Sequence, residues 1–383
     1  MKPLQQLFAF PFRIFFAATA IWAVLAVTLW ALQMSGMVTL PLAYPPLLWH
    51  RHEMLFAFLS PAIAGFLLTA VCVWTGTDRL HGLPLALLWL LWFGARISVT
   101  FGGEAAAPWS MALDLAFLPL VALDAGRRIV RAQQWRQLVV LLIIALLWLM
   151  QLGTLIQDAP VYTNGALVLA TALMLVIGGR ITPNFSANWL RMRGGDPAQV
   201  RTLFPLEVTL LACLLLLLIA TLVNHDSAVA TMAITTSLVA LLRIGLWRGW
   251  LMRTEPLLWI LHLSLLWTPV ALLLLAGHHG LGWPATAWQH ALGIGAMGGL
   301  ILGVMTRVAL GHTGRPLQLP PGMVTAYILV QAAALLRLLT VFGALPWRWG
   351  IFLSATAWVL AFTLFLWRYL PVLWRPRVDG KPG

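Results

Sequence analysis

Apolar residues along this chain come in long unbroken blocks, not in the alternation of a half-buried strand. Leu138 to Met150 and Leu210 to Val223 are examples. Such blocks match a hydrocarbon core about 30 Å thick, which takes about 20 helical residues to cross. Windows of that size give twelve predicted helices, near 13–33, 50–75, 83–101, 107–124, 137–157, 162–182, 206–223, 227–247, 257–277, 285–310, 321–342 and 348–370. The fold class is therefore all-α: a polytopic integral membrane protein. Tight connections leave no room for an extramembrane domain, so residues 1–383 read as one transmembrane domain. The segment Phe12 to Gln33 is too long for the apolar core of a secretory signal and lacks a small-residue cleavage site, so it reads as the first span.

Composition agrees. Of 383 residues 61% are hydrophobic and 9% charged, against roughly 25% charged in soluble domains. A net charge of +13 raises nucleic acid as a partner, but its distribution is topological. Lys2, Arg13, Arg79, Arg127, Arg128, Arg131, Arg136, Arg191, Arg193, Arg201, Arg248, Arg253, Arg315, Arg375, Arg377 and Lys381 fall in alternate connections and the tail. The opposite connections hold Arg51 and Arg348 at their margins, with Asp158 and Asp226. Cytoplasmic loops collect Lys and Arg, so both termini are expected in the cytoplasm and no nucleic-acid role is expected. Cys72 and Cys213 each sit in an apolar run without CxxC or zinc-type spacing, and read as small buried side chains.

Charged and imidazole side chains at membrane depth are costly and face a partner, cavity or cofactor. On this topology His50, Arg51, His52, Glu53, Arg96, Asp114, His290 and Arg337 fall toward the outer side. Arg180, Arg243, His262, Arg307 and His312 fall toward the cytoplasmic side. His50 and His52 would point about 200° apart on a helix and serve different sites, or grip one ion if the first turn is unwound. Glu53 follows His50 by three residues, where a carboxylate can strengthen an imidazole ligand. The plainer reading is an interfacial polar cluster. Gly295, Gly299 and Gly303 form a smooth stripe for tight helix packing or, alternatively, for a flat macrocycle. His290 and His312 are 22 residues apart, about 33 Å of helix, and cannot share a metal unless the helix breaks.

Imidazole suits iron and copper, and arginine suits haem propionates. The candidate metal ligands are His50, His52, Glu53, His262, His290 and His312, with Arg96, Arg307 and Arg337 as candidate cofactor-binding groups. Arg96 and Asp114 alternatively pair with each other. His81, His225, His278 and His279 fall in predicted loops and read as solvated. There is no phosphate-binding glycine loop, no Ser/His/Asp constellation and no CxxCH.

The motifs His50-Arg51-His52-Glu53-Met54-Leu55-Phe56, Ala64-Gly65-Phe66-Leu67-Leu68-Thr69-Ala70 and Trp74-Thr75-Gly76 resemble the opening of NnrS proteins. Gly179 to Phe185, Ile260-Leu261-His262 and Met305 to Arg315 resemble their later landmarks. Cys72-Val73 and Ser264-Leu265 depart from the common Pro-Asn and Gly-Tyr. The resemblance implies a twelve-helix protein of the bacterial inner membrane containing haem b and copper, linked to nitric oxide, denitrification and nitrosative stress. Binding of nitric oxide or another diatomic at a five-coordinate haem on His52 or His290 is the implied activity, with redox conversion as its enzymatic extension. At fold level the arrangement also resembles haem–copper oxidases. The alternative is a transporter for a metal, haem or an anion, for which a repeat relating two halves is expected; span 2's motif has no counterpart near span 8.

Overall fold

Prolines open the first, second, sixth, seventh and ninth membrane helices at Pro11, Pro46, Pro160, Pro197 and Pro256, where the missing N–H costs no intrahelical bond. Gly76 and Gly282, at φ 64° and 69°, end the second and ninth in the left-handed conformation that glycine adopts freely. The computed structural model describes residues 3–380, so Lys2 and Lys381 lie outside the described residues. Among the described residues every regular element is helical.

Twelve helices are long and apolar enough to cross a membrane. Spans 1 to 6 are Pro11–Met34, Pro46–Thr75, Gly82–Phe101, Glu104–Arg131, Trp135–Gln157 and Pro160–Met192. Spans 7 to 12 are Pro197–Val223, Asp226–Leu246, Pro256–Leu281, Ala285–His312, Met323–Val341 and Trp347–Trp374. The sequence-based ranges fall on these one for one. Span 6 departs furthest, running on through Pro183 to Met192, because its helix outlasts its apolar stretch.

Enclosure is uneven. Spans 2, 6 and 10 are each 78% buried over their most apolar window, against 28% for span 4. The motif histidines and arginines of the opening, Gly179 and Met305 runs lie on these three enclosed helices, apart from Arg315 just beyond span 10. Spans 2 and 10 also contain π-helical turns, at Glu53–Ala57 and Ala291–Gly298. Each begins directly after a candidate ligand histidine, His52 or His290. Such turns recur at functional sites because the extra residue re-aims neighbouring side chains.

Contacts divide the chain into two compact units. Unit 1 comprises Met1–Thr163, Met305–Pro320 and Trp358–Gly383. Within it span 1 lies against span 2, and span 4 lies against spans 2, 3 and 5. Gly65 allows spans 1 and 2 to approach closely: a Cβ there would stand 2.8 Å from the Phe16 ring. Arg13, fully buried, donates through one terminal nitrogen to the carbonyls of Leu373 (2.5 Å) and Arg375 (2.8 Å) at the far end of the chain. Unit 2 comprises Asn164–Val304 and Pro321–Ala357. Here span 8 lies against spans 7 and 9, and span 10 against spans 9 and 11.

The glycine stripe of span 10 is a packing surface. A Cβ on Gly295 would meet the Trp267 ring at 2.5 Å, one on Gly299 would overlap Ser264, and one on Gly303 would meet Leu261 at 2.9 Å. Span 9 therefore fills the stripe, and no macrocycle lies on it. Cys213 is buried and Cys72 half-buried, both as free thiols.

Candidate functional site

In unit 1 the polar residues of spans 2, 3, 4 and 5 close on one another. His52, Glu53 and Arg96 are fully buried, with Asp114 and Gln151 nearly so. His52 Nδ1 lies 2.8 Å from Glu53 Oε1 and Nε2 lies 2.7 Å from Asp114 Oδ2. Each contact needs a hydrogen between nitrogen and oxygen, so the cluster holds a proton on the ring or on a carboxyl. Arg96 donates to both Glu53 oxygens at 3.3 and 3.2 Å and also to Asp114, while Gln151 donates to Asp114. Arg96 thus bridges two carboxylates, and the expected pairing with Asp114 is joined by Glu53. Tyr44, between spans 1 and 2, sets its ring edge-on to His52 at 5.9 Å. Burial pushes its phenol well above the ordinary value.

Both His52 nitrogens are committed to carboxylates, so His52 and Glu53 do not fit a metal, and Arg96 does not fit a propionate. His50 stacks on Trp30 at 4.3 Å, separating it from His52 as the helical spacing predicts. His312, half-buried, lies 5.5 Å from the Phe12 ring. Arg307 is half-buried in the same span.

In unit 2, His262 Nε2 meets Ser186 Oγ at 2.9 Å. Its Nδ1 is buried without a hydrogen-bond partner among the described residues. Gly249 lies against it, where a Cβ would stand 2.6 Å from Nδ1. Arg243 donates to Glu207 Oε1 at 2.7 Å and Leu175 O at 2.8 Å. Its guanidinium rests where Gly179 has no side chain, which gives the motif glycine beside Arg180 a physical reason.

His290 differs from the others. Its Nδ1 lies 2.7 Å from the carbonyl of Thr286. A carbonyl can only accept, so Nδ1 carries the hydrogen and Nε2 keeps its lone pair. Nε2 has no partner among the described residues. Arg337, in the same unit, has its Nη1 buried and unpartnered among the described residues. Nothing stands within 4 Å of where a Gly293 Cβ would be, one turn on. His52 and His290, read together as outer-side residues, thus belong to different compact units.

The family comparison decides the kinship. A sequence model described as NnrS protein matches residues 6–377. The chain belongs to the NnrS family. No curated protein matches it. The NnrS motifs acquire structural meaning from the geometry above: the opening motif builds the ionic cluster and the Gly179 motif cradles Arg243.

The resemblance to NnrS proteins also implied haem and copper, and the two groups make different demands. Among the described residues no three His, Cys, Asp or Glu side chains are arranged to hold a metal ion, so the residues do not fit a copper centre with three protein ligands. Haem brings its own four nitrogens and asks the protein for an axial imidazole. His290, with a fixed tautomer and a free Nε2, fits that demand. Sequence spacing could not separate His290 from His52 or His262, because one ring faces a backbone carbonyl and the other faces the neighbouring Glu53 and the distant Asp114.

Proposed function

We propose that this chain is a haem-binding protein of the bacterial cytoplasmic membrane that takes nitric oxide as the diatomic ligand of its haem. The observation that carries the reading is His290: an imidazole on an enclosed span, its Nδ1–H held by the Thr286 carbonyl and its Nε2 lone pair uncommitted. An acceptor on the far nitrogen orients a ligating ring and raises its basicity. Arg337, with a buried nitrogen that has no partner among the described residues, suits a propionate carboxylate. Gly293 leaves room in the following turn. The haem, when bound, supplies an iron with an open position for a diatomic, and family membership makes nitric oxide the leading candidate.

The test is optical. Purified protein should show a Soret band that shifts on adding nitric oxide to the reduced form. His290→Ala should abolish the band and Arg337→Ala should weaken haem retention. A full-intensity Soret band in His290→Ala, or none in the wild type, rejects the reading.

A further inference from the structure

Two histidines that the sequence places in loops have the same mark of readiness as His290. His278 and His279 lie in the last turn of span 9. His278 Nδ1 lies 2.7 Å from the carbonyl of Trp283, and His279 Nδ1 lies 2.7 Å from Asp226 Oδ1 at the start of span 8. Carbonyl and carboxylate oxygens accept, so both rings carry hydrogen on Nδ1 and present a bare Nε2. Neither Nε2 has a partner among the described residues. His225 is close in sequence to Asp226 but has the opposite tautomer. Its Nδ1 accepts from the Ala228 amide at 3.3 Å, which leaves the hydrogen on Nε2.

The separation of the two rings permits one ion held by both Nε2 atoms. Their centroids are 4.9 Å apart. A metal bound at about 2.0–2.1 Å from each nitrogen lies about 3.2 Å from each ring centre. Centres so placed subtend about 100° at the metal, close to the tetrahedral angle. Asp226 and Trp283 stand where second ligand-orienting groups stand in metal sites. The last carbonyls of the helix add a favourable field for a cation.

We propose that His278 and His279 form a site for a first-row transition-metal ion of zinc type, bound through both Nε2 atoms, with water completing the shell. The chemistry is that of a borderline cation preferring imidazole, not of magnesium or calcium. The site is independent of the haem reading, since it uses neither His290 nor Arg337.

Equilibrium dialysis of the detergent-purified full chain, without a polyhistidine tag, measures it: Zn(II) is the probe and bound metal is counted by elemental analysis. One Zn(II) per chain should be lost in H278N/H279N, while Mg(II) does not compete. Asp226→Ala should weaken Zn(II) about tenfold, because it removes the acceptor that fixes the His279 ring. Haem content, read separately from the Soret band, should not change in any of these variants. A double variant that binds as much Zn(II) as the wild type, or a wild type that binds none, overturns the site. An Asp226→Ala affinity equal to wild type overturns the orienting role of Asp226.

Discussion

Residues that look alike in the sequence do opposite work here. Arg96 and Arg51 both face a carboxylate, but Arg96 is fully buried between Glu53 and Asp114, whereas the Arg51–Asp158 pair is 24% and 44% exposed. Removing one partner of a buried network leaves a charge without compensation, at about 3–5 kcal/mol. Arg96→Met should therefore lower unfolding stability in detergent by that order, read from a denaturant titration. Asp158→Ala should cost less than about 1 kcal/mol. Equal effects would show that the cluster of spans 2 to 5 is not closed. At this scale the sequence was partly legible. That Arg96 and Asp114 would meet could be read from their depth; that Glu53 would join them depends on how span 2 is rotated, which no local pattern records. The histidines were legible as a set and illegible one by one, because which atom each ring nitrogen faces depends on side-chain rotamer and on helix rotation, which residue spacing does not record.

The helices themselves were the most legible feature. Twelve apolar windows gave twelve spans, because crossing a hydrocarbon slab sets a minimum length that composition reveals. The π turns at Glu53–Ala57 and Ala291–Gly298 were not legible, since one inserted residue barely alters hydrophobic periodicity. Glycines within one span separate by what they face. Gly299→Val would collide with Ser264 and Gln331, and Gln331 accepts from Trp267 Nε1 at 2.6 Å. It should destabilise by about 1–3 kcal/mol and change the tryptophan emission. Gly293→Ala, with open space around it, should be neutral or gain up to about 1 kcal/mol from helix propensity. If both behave alike, span 9 does not lie on the stripe as described.

For the whole molecule, an even number of spans among the described residues predicts both ends on one side, and the distribution of arginine predicts that this side is the cytoplasm. A fluorescent protein fused after residue 383 should fold and fluoresce, while alkaline phosphatase fused there should stay inactive; the reverse pair of results would invert the orientation. The division into two units was hidden from the sequence, because unit 1 gathers three separated stretches of chain.

That gathering bears on how the protein is made. The guanidinium of Arg13 donates to carbonyls about 360 residues downstream, and synthesis proceeds at about 5–20 residues per second. The first helix therefore reaches the translocon roughly 20–70 seconds before its acceptors exist. For that interval the cation must rest in water, among lipid headgroups or against a chaperone, and the earliest helix to emerge is among the last to settle.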